Sequence, residues 1–151
     1  MLDNRKIYKA RCHCGNVQFD VKLSDGLKTA RRCTCSMCSR RGAVAVSAEL
    51  KDIVFTKGED ALKLYQFGTK VAKHYFCSNC GIYTHHQRRS NPTQYGINLS
   101  CLEDETPFLA SVPVLDGKNH PRDQQDGAGA DGVYKGLEVG HLVFKGDRKR
   151  L

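Results

Sequence analysis

The spacing of the cysteines constrains this chain more than any other feature. Cys33-Thr-Cys35-Ser-Met-Cys38 sets three thiols within six residues, flanked by Arg31-Arg32 and Arg40-Arg41. Cys12-His-Cys14 lies upstream and Cys77-Ser-Asn-Cys80 downstream. The tight loop can bring three sulfurs to one metal ion but offers no fourth, whereas the two outlying pairs together make four. Seven of the eight cysteines therefore divide into a complete S4 set and an incomplete S3 set. A closed tetrahedral zinc site is structural, while three protein ligands and an open position permit chemistry. The spacing thus predicts two Zn²⁺ per chain, a structural ion on Cys12, Cys14, Cys77 and Cys80 and a second on Cys33, Cys35 and Cys38. Gly15 and Gly81 directly follow the last sulfur of their pairs. A glycine there lets the chain turn with φ > 0 and aim amides at thiolate.

Eight thiols could also form four disulfides. Against this, the stretch from Met1 to Ala10 holds no apolar segment of the secretory kind. That points to a cytoplasmic chain, where thiols stay reduced and paired C-x-C and C-x-x-C spacings favour metal. The longest apolar run, Ala43-Val-Ala-Val46, is far too short to cross a bilayer. With 151 residues and 40% hydrophobic content, the chain fits one domain, residues 1–151, around a modest core. The formal charge is +8. Seven thiolates and two zinc ions would add about −3 and leave about +5, because ligand cysteines deprotonate. Such a balance suits anionic small molecules and leaves nucleic acid open. The basic clusters at Arg31-Arg32, Arg40-Arg41, Arg88-Arg89 and Lys145 to Arg150 are scattered along the chain. Scatter of this kind reads as solvated surface before binding stripe.

The pattern between the thiols is that of a mainly β fold. Val17, Phe19, Val21 and Leu23 alternate with polar residues across 16–23, the mark of a half-buried strand. Strands are also expected from Tyr8 into the first thiol pair, over Ala43–Ala48 and Ile53–Phe55, and over Ala61–Phe67. Further strands are expected over Val71–Phe76 and Ile82–His85, on either side of the second pair, and over Tyr95–Leu102. Strand, knuckle, strand is the zinc-ribbon way of tying hairpin turns to a metal. Ser36–Arg41 has room for one helical turn ended by Gly42, and no longer helical period is present. Beyond Pro113 the signal fades. The glycine-rich 116–136 stretch reads as a long loop, Leu137–Phe144 as a last strand, and Gly146–Leu151 as a basic end.

The S3 set could still be closed by a fourth residue, with Cys101, His74, His85 and His86 as candidates. Cys101 shares a predicted strand face with Ile97 and Leu99, and with Phe108 nearby it reads as a small core residue. His74 alternates with Phe76 and suits packing. One of His85 and His86 could serve in proton transfer.

Four stretches, Arg11–Phe19, Cys33–Arg40, Tyr65–Gly68 and His74–Gly81, carry a resemblance in order and spacing over about residues 8–102. They closely resemble the glutathione-dependent formaldehyde-activating enzyme family, which includes the centromere protein V group. The resemblance implies a zinc-bound β fold shared with a chaperone-like regulator of Rab GTPases. It also implies that Cys12, Cys14, Cys77 and Cys80 hold the structural zinc and that Cys33, Cys35 and Cys38 match the catalytic zinc ligands. The expected activity is that of a carbon–sulfur lyase, S-(hydroxymethyl)glutathione synthase-like, joining glutathione or a similar thiol to a small aldehyde. Arg40 and Arg41 are candidates to grip glutathione carboxylates, or else solvated charges balancing an anionic zinc site. The rival expectation is a non-catalytic zinc module for nucleic acid or a protein partner. No RNA-binding aromatic signature or recognition helix supports it.

Overall fold

Short alternating segments broken by glycine and polar turns become strands that must pair to satisfy their backbone groups. The computed structural model describes residues 3–103, 105, 111–117 and 141–143. Among them the first elements are β1 (Ile7–Arg11), β2 (Gln18–Lys22), β3 (Arg32–Cys33), the helix α1 (Ser36–Arg41) and β4 (Ala45–Glu49). There follow β5 (Ile53–Lys57), β6 (Leu62–Tyr65), β7 (Lys73–Cys77), β8 (Tyr83–Gln87), β9 (Gln94–Asn98), β10 (Ser111–Leu115) and β11 (His141–Val143). The mainly β expectation holds. No helix among the described residues is long and apolar enough to cross a membrane.

The strands form three sheets. The first is antiparallel, in the order β1-β2-β5, and the second is a five-stranded antiparallel sheet in the order β4-β9-β8-β7-β6. The core lies between them. Phe19 and Val21 from β2 meet Val46 from β4 and Ile97 from β9 in one buried cluster. In the third sheet β10 pairs parallel with β3, matching Leu115 to Cys33, and antiparallel with β11.

Two expectations change here. The strand expected over Tyr95–Leu102 ends at Asn98, and Leu99–Cys101 is a 3-10 turn. Asn98 stops the ladder because its side-chain oxygen accepts from the Ser100 amide at 3.1 Å, a local bond that competes with strand pairing. Val114 and Leu115, where the sequence pattern fades, belong to β10. The final strand expected over Leu137–Phe144 is described only as β11, and 118–136 and Gly146–Leu151 lie outside the described residues, as does Phe108.

Candidate metal centre

Each outlying cysteine pair sits in a hairpin turn. Cys12 and Cys14 follow β1, and Cys77 and Cys80 link β7 to β8. Gly15 at φ 79° and Gly81 at φ 76° occupy the left-handed region, where a side chain would be strained. Each returns its amide to the carbonyl of the first cysteine in its knuckle, Gly15 to Cys12 at 3.2 Å and Gly81 to Cys77 at 2.9 Å. Those turns leave other amides facing sulfur, Val17 to Cys12 Sγ at 3.3 Å and Asn79 to Cys77 Sγ at 3.4 Å.

The four sulfurs lie within 4.8 Å of one another. Cys12 Sγ is 3.6 Å from Cys14 Sγ, which is 3.7 Å from Cys77 Sγ. A tetrahedron with metal–sulfur bonds of about 2.3 Å has edges of about 3.8 Å, so this set has the size for one ion. Burial pushes the Cys12 thiol up to about 11, while a hydrogen bond from Asn79 leads the effects holding Cys14 down at about 6.

Cys33, Cys35 and Cys38 form the second cluster, likewise within 4.8 Å. Cys33 ends β3, and Cys35 caps α1, its sulfur accepting from the Cys38 amide at 3.3 Å. The Cys35 amide points at Cys33 Sγ at 3.4 Å. The helix closes at Gly42, as its sequence predicts. The thiols of Cys33 and Cys38 donate toward Cys35 and lower it, and Cys38 is raised chiefly by Cys33. Three sulfurs this close cannot all ionise without a cation among them, which is what a metal supplies.

Leu115, Asp116 and Gly117 press on this cluster. The Thr34 amide reaches Leu115 O at 2.8 Å, and Thr34 Oγ1 donates to Asp116 Oδ1 at 3.0 Å. A Cβ on Gly117 would collide with Cys33 Sγ and crowd Cys35 Cβ at 2.9 Å. None of the eight cysteines is in a disulfide. Cys101 joins neither cluster. It is 3% exposed, with Sγ 3.5 Å from Tyr83 O, and burial leads the effects raising it to about 12.

The S3 cluster opens on a cavity of about 460 Å³. Its far wall includes His74 and His86, set side by side on the five-stranded sheet by a register that places Tyr65 opposite His74, His74 opposite His86 and His86 opposite Gly96. The imidazoles of His74 and His86 stack at 5.2 Å. A side chain at Gly96 would run into the His86 ring. His85, one residue away, points to the opposite face by strand alternation. It packs among Phe19, Phe55, Tyr75 and Tyr95, and burial holds it at about 3. The pairing of Tyr75 with His85 and of Phe76 with Tyr83 leaves Thr84 as a bulge. Such a bulge re-aims its neighbour, and Tyr83 thereby joins His86 on the cavity side. The Tyr83 hydroxyl donates to Gly96 O at 3.1 Å and lies 2.5 Å from His86 Nδ1, from which it accepts.

Basic side chains complete the wall, and no carboxylate stands among the described lining residues. Arg31 donates to Thr29 O at 2.8 Å and Ser47 Oγ at 3.0 Å, and Arg88 to Gln94 Oε1 at 3.0 Å. Burial, with Arg88 nearby, lowers Arg31 to about 10. Arg41 lies over the Tyr83 ring at 3.6 Å and donates to His74 Nδ1 at 2.8 Å. Arg40 is outside the cavity, turned back to Ser36 O at 2.8 Å. Sequence reading therefore missed Arg31, Arg88 and Tyr83 as cavity residues; His74 does pack, as expected, on Phe67 and His86, and it lines the cavity as well. Only the strand register, which pairs His74 with His86, could have shown that second role.

Comparison with known proteins shows the family. A crystal structure of a Rhodobacter sphaeroides protein is 55% identical, matching 70% of this chain and 98% of that one with a TM-score of 0.69. The model of the family described as glutathione-dependent formaldehyde-activating enzyme matches residues 7–114, a span holding both clusters and every described cavity-lining residue except Leu115 and Gly117. The chain belongs to that family.

Proposed function

We propose that the cavity over Cys33, Cys35 and Cys38 joins a thiol such as glutathione to a small aldehyde such as formaldehyde. The reaction forms a C–S bond and a hydroxyl, and its reverse is a carbon–sulfur lyase step. One observation carries the reading: the cluster that lacks a fourth cysteine is the one that faces a cavity walled by arginine and neutral histidine. Zn²⁺ held by those three sulfurs would supply positive charge favouring the thiolate form of a thiol in the cavity. Cys12, Cys14, Cys77 and Cys80 would hold a second zinc that only ties the fold together.

Arg31 and Arg88 are the residues this reading assigns to the carboxylates of the thiol, since their hydrogen-bond partners among the described residues are neutral. They take the part that the sequence suggests for Arg40 and Arg41. Arg40 lies outside the cavity, and Arg41 is committed to His74 and Tyr83. Thiolate formation alone contributes little. A thiol with pKa near 8.5 is already a few per cent ionised at pH 7, so full ionisation gains roughly 30-fold, about 2 kcal/mol. Enzymes reach about 8 kcal/mol or more, so holding the two reactants in register must supply the larger share. The reading needs a compartment where thiols stay reduced.

Calorimetric titration of the zinc-loaded protein with glutathione tests this, beside NMR exchange rates for S-hydroxymethylglutathione. Saturable binding is expected in the wild type and none in Cys38→Ala, which should keep one metal. Equal binding in both proteins overturns the reading. Binding of nucleic acid that weakens steeply with salt, without thiol binding, would leave the non-catalytic module standing instead.

A further inference from the structure

Two buried donors on the cavity wall have no hydrogen-bond partner among the described residues: Arg41 Nη1 and His74 Nε2. They belong to one unit, because Arg41 Nη2 and His74 Nδ1 are 2.8 Å apart. A guanidinium has donors and no acceptor, so His74 Nδ1 must be the acceptor of that bond. A neutral imidazole then carries its single proton on Nε2. Burial and the neighbouring Arg41 charge hold His74 at about 4, so it is neutral near pH 7 and Nε2–H is a standing donor. The rest of the ring is spoken for. Phe67 stacks on it at 5.7 Å and His86 at 5.2 Å, and Arg41 closes the Nδ1 edge. Arg41 is fixed in turn by the Tyr83 face. Buried donors left without partners are uncommon and costly, and here two stand side by side on residues that line the same cavity as the S3 cluster.

We infer that Arg41 Nη1–H and His74 Nε2–H form an oxyanion-binding pair for the carbonyl oxygen of the aldehyde. The inference rests on the reading of the cavity as a thiol–aldehyde site. The thiolate sulfur attacks the carbonyl carbon, the C–S bond forms and the C=O π pair moves onto oxygen. The resulting alkoxide lies against the two N–H groups until water returns the proton that the thiol gave up. Donors held in place before reaction stabilise such charge without reorganising. A neutral histidine in this role donates a hydrogen bond and transfers no proton. Neither nitrogen is open to solvent, so the oxygen reaches them only as the wall yields. The exposed Phe67–Thr69 turn is the part with room to do so, for nothing lies within 4 Å of the position a Cβ would take on Gly68.

The test compares wild type, His74→Phe and His74→Gln, each loaded with zinc, for glutathione affinity and for turnover with formaldehyde. His74→Phe keeps the ring stack and loses the donor. It should bind glutathione within about twofold of wild type and lose about 10²–10³-fold in kcat, the scale of one lost oxyanion donor. His74→Gln restores an amide donor and should recover part of the loss. A second measurement on the wild type does not depend on either variant folding. Histidine ¹⁵N NMR should show the Nε2–H form of His74 throughout pH 5–8, its signal moving on addition of glutathione with formaldehyde but not of glutathione alone. His74→Phe turnover within threefold of wild type, or an Nδ1–H form of His74, overturns the inference and leaves the thiol–aldehyde reading intact. A wild type that neither binds glutathione nor turns over formaldehyde overturns both.

Discussion

Cys12, Cys14, Cys77 and Cys80 come from turns in two different sheets, the hairpin of β1 and β2 and the hairpin of β7 and β8. Cys33, Cys35 and Cys38 come from one loop and the helix that follows it. Cys12 and Cys77 are buried against the core, whereas all of the second group are half-buried and line the cavity. On the proposed reading the same residue type at similar spacing does two jobs. An ion in the first cluster would staple distant parts of the chain, so its binding energy is folding energy. An ion in the second would cross-link six residues that β3, α1 and β10 already hold. Closure makes a brace, and an open side makes a workplace.

The strongest way to break this comparison is Cys77→Ser. Losing a ligand of the stapling cluster should remove about 10 kcal/mol or more of metal-linked stability and leave insoluble or unfolded protein. Recovery of soluble protein with a cooperative thermal transition would show the two clusters to be equals.

Acid sharpens the comparison by separating metal loss from core protonation. His85 titrates at about 3 when folded because burial disfavours its charge, against about 6.5 when unfolded. The unfolded chain takes up the proton first. Stability is thus whole above pH 6.5 and falls by up to about 1.4 kcal/mol per unit as pH drops toward 3. His74, held at about 4, and His86, also lowered by burial, add to the fall. In urea unfolding between pH 4.5 and 6.5, His85→Phe should show a shallower slope than wild type. Parallel slopes would assign acid sensitivity to the clusters instead.

Gly117→Ala probes the open cluster without touching a ligand. The added methyl meets Cys33 Sγ, so metal affinity there should drop about 10–100-fold, the usual cost of disturbing a ligand's support. Metal analysis after mild chelation should find one equivalent held and the fold unchanged. Loss of both equivalents together would deny the clusters' independence.

The smallest effect is expected from Cys101→Ala. Its sulfur is a core atom and not a fourth ligand, so truncation should cost about 1–2 kcal/mol and leave metal content as in wild type. A variant one metal short would mean that the open cluster is in fact closed.

Much of this was legible in the sequence because it is local. C-x-C and C-x-x-C spacings bring sulfurs together through short turns, glycines after them permit those turns, and alternation marks the strands between. The strand segments, each thiol pair, the triple-thiol loop and the helical turn Ser36–Arg41 follow from contacts within a few residues, and counting sulfurs gave the 4 + 3 division; the meeting of Cys14 with Cys77, 63 residues on, is the work of the tertiary fold. The cavity does not. Which of His85 and His86 faces it depends on alternation counted through a bulge at Thr84, and the bulge exists only because β7 and β8 pair in one register. Arg31 and Arg88 read as surface charge until the packing encloses them, and Gly117 is anonymous until β10 lays it on Cys33. Sequence alone determined the thiol pairs and the triple-thiol loop, since covalent spacing limits the separation of sulfurs a few residues apart. Tertiary structure alone decided what stands across from them, since nothing local relates residue 33 to residues 74, 88 or 117.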